Sequence, residues 1–151
     1  MTKELDHLLN EFDDKTKKQR AERIQKAEEE QKKIASFKRL FKKRMTTTLE
    51  PLLKRMLSKI HKHGHETQRL DIELPAHKEF YHQSYVIRKG RGGNFVMITI
   101  VGNHHLQKVM LYTEYSPGYH TPKTEKSYLL PEFTEDLLSK IITDEVSKIL
   151  K

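Results

Sequence analysis

Apolar positions along this chain fall into three regimes. Between residues 34 and 60 they recur every three or four residues. Ile34, Phe37, Leu40, Phe41 and Met45 fall on one side of a helix, and Leu49, Leu52, Leu53, Met56, Leu57 and Ile60 form a second row. At about 100° per residue, the second row is rotated by roughly 90° from the first. Thr46, Thr47, Thr48 and Pro51 lie between the rows. β-Branched residues weaken a helix and proline removes an amide donor. A kink or a break into two helices is therefore expected near 46–51, with Thr48 as N-cap and Pro51 in the new first turn.

From residue 68 the period drops to two. Leu70, Ile72 and Leu74 alternate with Arg69, Asp71 and Glu73, which predicts a half-buried strand stopped by Pro75. Residues 80–88 and 106–115 read as further strands. Residues 95–101 are nearly all apolar, as in a strand covered on both faces. Short links between them imply a four-stranded antiparallel meander. Residues 116–127 read as a loop, and Tyr128, Leu129 and Leu130 as a short edge strand. Thr134 is placed to cap a final helix, with Phe133 and Leu138 as a hydrophobic staple. Leu137, Leu138, Ile141, Ile142, Val146, Ile149 and Leu150 form its apolar row, suited to covering one face of the sheet.

The third regime lies ahead of both. Leu5, Leu8, Leu9 and Phe12 make a short apolar stripe, and from residue 13 to 33 only Ala21, Ile24 and Ala27 are apolar. Such a segment buries no face of its own. It still reads as helix, because Asp13–Lys17, Asp14–Lys18, Glu22–Lys26, Glu28–Lys32 and Glu29–Lys33 place an acid four residues before a base. Each such pair is worth about 0.2–0.5 kcal/mol. A coiled coil is the sharper alternative, but residues 13–33 lack the apolar a/d row it needs. The expected fold is α+β: a long charged N-terminal helix, kinked or broken near residues 46–51, a four-stranded antiparallel sheet, and a C-terminal helix packed on it. Its expected parts are a charged helical arm (1–37), a basic amphipathic helix (38–63), and the sheet with the last helix (64–151).

Charge sharpens the middle segment. Lys38, Arg39, Lys42, Lys43, Arg44, Lys54, Arg55, Lys59 and Lys62 face one acid, Glu50, so this stretch holds the entire net charge of +8. Acids and bases balance on either side of it. With 33% charged and 35% hydrophobic residues, not all of the chain is packed core. There is no cysteine, which excludes thiol chemistry, disulfides and zinc fingers. No apolar run approaches the ~18 residues of a membrane span. Residues 1–20 are too acidic and polar for a signal peptide, so a cytoplasmic location is expected.

The chemistry on offer is anion binding. A second basic cluster, Arg88, Lys89 and Arg91, lies in a turn with Gly90, Gly92 and Gly93, where backbone amides can approach an anion. The expected nucleic-acid-binding set is Lys38, Arg39, Lys42, Lys43, Lys54, Arg55, Lys59, Lys62, Arg88, Lys89 and Arg91. Tyr81, Tyr85, Tyr112 and Tyr115 offer stacking surfaces wherever they face solvent.

Competing readings are weaker. His61 and His65 are four apart, as zinc ligands can be, but Gly64 interrupts the helix between them and a third ligand is lacking. Histidines in a last turn more simply answer the helix dipole. Asp71, Glu73 and His82 are the best catalytic candidates, without a pattern that completes a site, so no enzyme, cofactor or metal is expected. The expected function is a non-enzymatic module, oligomeric, that binds nucleic acid or another polyanion. The alternative is a protein–protein scaffold or adaptor whose bases face an acidic partner.

Overall fold

The computed structural model describes residues 2–116 and 123–151. It is α+β, with a long N-terminal helical stretch, a five-stranded antiparallel sheet and a C-terminal helix. The chain divides into two units, the residues up to Ser36 and Phe37–Lys151. The first of these is helical, and Leu5, Leu8, Leu9, Phe12 and Ile24 are all more than half exposed. Among its described residues, none of the five expected acid–base pairs closes to 4.0 Å; His7 and Glu11 do, at 3.1 Å. Long exposed side chains gain too little from one geometry to hold it.

Helix α1 (Thr2–Arg44) leads without a break into a π-helical turn (Met45–Leu49) and then α2 (Glu50–Lys62). The expected kink or break is therefore replaced by a widened turn. Thr48 is not an N-cap: the residue ahead of α2 is Leu49, itself helical, with no side-chain cap. The Glu50 amide reaches back five residues to the Met45 carbonyl. Thr46 and Thr47 hydroxyls donate to the carbonyls of Lys42 (2.9 Å) and Lys43 (2.6 Å), satisfying acceptors at the entrance to the turn. Pro51, which cannot donate, sits just beyond.

The turn also resolves the mismatch between the two apolar rows. In an α-helix four residues overshoot one turn by about 40°. In a π turn, bonded i to i+5, four residues fall short of one. Phe37, Phe41, Met45, Leu49, Leu53 and Leu57, spaced by four throughout, are all buried. The wide turn winds the row back so that both halves face the same sheet.

The sheet runs in order β1 (Glu66–Leu70), β2 (Tyr81–Arg88), β3 (Phe95–Asn103), β4 (Lys108–Tyr115) and β5 (Lys123–Leu129), all antiparallel. The expected four strands become five. Of the expected loop 116–127, residues 117–122 lie outside the described residues, and 123–127 belong to β5. That strand pairs along its length with β4, from Lys108↔Leu129 to Glu114↔Lys123. The first strand begins earlier and ends at Leu70 rather than Leu74.

One sheet face supplies the core: Tyr85 and Ile87, then Val96, Ile98 and Ile100, then Val109, Leu111 and Tyr115. The helical row and α3 (Glu135–Leu150) complete it through Leu138, Ile142 and Ile149. Thr134 caps α3, its side chain accepting from the Leu137 amide at 3.3 Å, and Phe133 and Leu138 are both fully buried. Alternation sends His82, Thr99 and Tyr112 to the other face. There residues 71–80 fold back: the His77 ring lies 4.7 Å from Tyr112, and the Leu74 amide donates to His82 Nε2 at 3.0 Å.

Candidate nucleic-acid interface

The basic residues of the middle segment divide into two kinds. Arg44 turns inward and donates to the backbone carbonyls of Leu130 and Phe133. Its charge ties the helix to the 3-10 turn that precedes α3. Lys38, Arg39, Lys42, Lys43, Lys54, Arg55, Lys59 and Lys62 are all exposed. Among the described residues none of these eight has a carboxylate within 4.0 Å. Because the π turn holds one buried row along α1 and α2, Arg39, Lys43, Arg55 and Lys62 lie on the side opposite it, with the other bases on the flanks. From Lys38 to Lys62 the strip covers roughly 35 Å.

Glu50, the single acid of the segment, is withdrawn from the strip. Its Oε1 accepts from the Tyr81 hydroxyl at 3.0 Å and lies 3.8 Å from Arg69 Nη2. Burial and the Glu50 carboxylate push the Tyr81 phenol up, so it remains a donor at neutral pH. The strip is therefore basic with little local compensation.

The hairpin between β2 and β3 comes to the far end of the same strip. Gly64 ends α2 with a φ of 91°, a conformation suited to glycine. The next residue, His65, accepts the Gly90 amide on Nδ1 at 3.0 Å. The tip is closed by the Lys89 amide bonded to the Asn94 carbonyl at 2.8 Å. Lys89 and Arg91 are exposed on it. Arg88 is not available in the same way. It donates to the Gly93 carbonyl at 3.1 Å, pairs with Glu66 at 3.4 Å and stacks on Phe95 at 4.8 Å. It braces the hairpin rather than presenting a free cation.

The remaining candidate residues do not converge. Tyr85 and Tyr115 are buried, and burial pushes the Tyr85 phenol up to about 12. Tyr112 is partly covered by His77. Asp71 pairs with Arg69 at 3.1 Å. His82 carries its proton on Nδ1, facing the Phe80 carbonyl at 2.9 Å, since Nε2 accepts from Leu74. His65 is engaged by Gly90, so it does not share a helical face with His61. Among the described residues, no group of three or more histidines and acids is arranged to hold a metal. No described helix is long and apolar enough to cross a membrane.

Sequence reasoning missed a groove where α2 passes the edge of the sheet. It is lined by Glu50, Pro51, Lys54, Leu57, Arg69 and Tyr85 among others, with a volume of about 690 Å³. No local pattern marks it, because its walls come from four separate elements, the π turn, α2, β1 and β2. No protein-family model matches this chain, and no curated protein or solved structure is significantly similar to it.

Proposed function

We propose that the Phe37–Lys151 unit is a non-enzymatic nucleic-acid-binding module. The single observation that carries this reading is the continuous basic strip. Eight exposed bases lie along one helical stretch, without carboxylate partners among the described residues, over a buried hydrophobic row. A phosphate backbone is the repeating anion that such a strip matches, since every neutralised phosphate releases condensed counterions. Lys89 and Arg91 extend the strip beyond the end of α2, held there by the His65–Gly90 bond. A scaffold reading draws support from a different feature, the exposed Leu5, Leu8, Leu9 and Phe12, which suit a protein partner. The two readings use separate parts of the chain.

The test is fluorescence anisotropy with labelled single- and double-stranded oligonucleotides at several salt concentrations. Binding should weaken linearly in log salt, with a slope reporting several phosphates. The combined variant Lys42→Glu, Lys43→Glu, Lys54→Glu and Arg55→Glu should lose binding and keep its melting temperature, because all four are exposed. Absence of binding by the unmodified chain at low salt overturns the reading.

A further inference from the structure

The groove beside the strip has the construction of a ligand site. Its volume of about 690 Å³ falls within the range of small-molecule pockets, about 300–1,000 Å³. Leu57, Pro51 and Tyr85 give it an apolar lining, while Glu50, Lys54 and Arg69 bring polar groups to it. Lys54 belongs to groove and strip alike, so the two are continuous.

Two of these polar groups, Glu50 and Arg69, are held by neighbours. Glu50 is engaged through Oε1, by Tyr81 and Arg69. A carboxylate accepts on both oxygens, and Oε2 adds further capacity. Arg69 is held by Asp71 at 3.1 Å and by Gln83 Oε1 at 3.1 Å. The site therefore offers a positioned acceptor, an apolar surface, and a cation at the junction with the strip. An acceptor-only group selects for donors. Among the four RNA bases, guanine presents two adjacent donors, N1–H and the N2 amino group, on its Watson–Crick edge, and single-strand recognition reads that edge.

We propose that this groove seats a guanine base of a single strand whose backbone lies on the basic strip. Glu50 accepts from N1–H and the N2 amino group, the base packs against Pro51, Leu57 and Tyr85, and Lys54 meets the adjoining phosphate. The inference rests on the nucleic-acid reading above and adds base selection to it.

The experiment compares a labelled short oligouridine with the same oligomer carrying one central guanosine, using the full chain at low salt. The guanosine should strengthen binding about tenfold, the ratio that about 1.4 kcal/mol supplies. Glu50→Gln, whose amide oxygen still accepts from Tyr81, should make the two oligomers indistinguishable. Ser58→Trp, which places bulk at an exposed position of the groove wall, should do the same should Glu50→Gln fail to fold. Equal binding of both oligomers by the unmodified chain overturns the groove assignment and leaves the strip standing. A guanosine preference that survives in a folded variant also overturns it. Failure of either oligomer to bind overturns groove and strip together.

Discussion

The ring of Phe41 fills the space above Gly102, so that a Cβ on that glycine would lie 2.5 Å from Phe41 Cε1 and 2.9 Å from Cγ. Gly102 is in β3 with no unusual φ, so space rather than backbone freedom demands glycine here. This contact sets how closely the end of α1 lies on the sheet, beside the edge-on packing of Phe41 on Tyr81 at 5.7 Å. Gly102→Ala should destabilise the fold by about 1–3 kcal/mol, the usual cost of overpacking. Its denaturant midpoint should fall with an unchanged m value. Adding Phe41→Leu should recover part of the loss, because contacting residues couple.

The hairpin separates a bracing arginine from a presented one. Arg88→Ala should lower the thermal midpoint, since it removes contacts to Gly93, Glu66 and Phe95. Arg91→Ala should leave stability within about 0.5 kcal/mol, as expected of an exposed position. It should reduce the salt slope of oligonucleotide binding by about 0.7–0.9, the share of one phosphate contact. Melting curves and salt titrations on both variants check the division.

His65→Ala should free the hairpin tip. The Gly90 amide donates to His65 Nδ1, so its hydrogen-exchange protection should disappear while that of β3 persists. Nucleic-acid affinity should fall although no lysine or arginine of the strip or the hairpin has been removed.

Acid should destabilise the unit through two histidines. Burial holds His77 below its ordinary value of 6.5, helped by the neighbouring His82. Burial likewise holds His104 below 6.5, helped by Lys38 and His105. The folded state thus resists protons that the unfolded state accepts, and stability rises with pH where the unfolded state binds more of them. Their contribution is complete above about 6.5 and declines as pH falls below it. Urea melts near neutrality and at mildly acidic pH should show this slope. The double variant His77→Phe and His104→Phe should flatten it.

Much of this fold was legible from local periodicity. The row through Phe37, Phe41 and Met45, the apolar run of β3, and the Thr134 cap each announce themselves within a few residues. The phase mismatch across residues 46–51 was legible too, but it reads as a break because π turns are rare. β5 was obscure for another reason. Lys123, Glu125, Ser127 and Leu129 are exposed on this edge strand, and Thr124 and Tyr128 are only half-buried, so apolar alternation is nearly absent. The strip was legible as charge, while its continuity depends on a turn geometry that composition does not announce. The groove and the His65–Gly90 bond join residues far apart in the chain, which no short window contains.

Counted as chain length, the turn at Met45–Leu49 is one residue too many. Remove a threonine from it and the buried row is spaced four, four, three, four, four. A three-residue step lags one α-helical turn by about 60°, which offsets the drift of the four-residue steps. A chain lacking Thr47, with Pro51→Ala to restore an amide, should therefore keep the same core along an ordinary α-helix. What the shorter chain would disturb is the groove wall, to which this turn contributes Thr46 and the adjoining first residues of α2 contribute Glu50 and Pro51. Packing can spare the surplus residue, and the groove cannot.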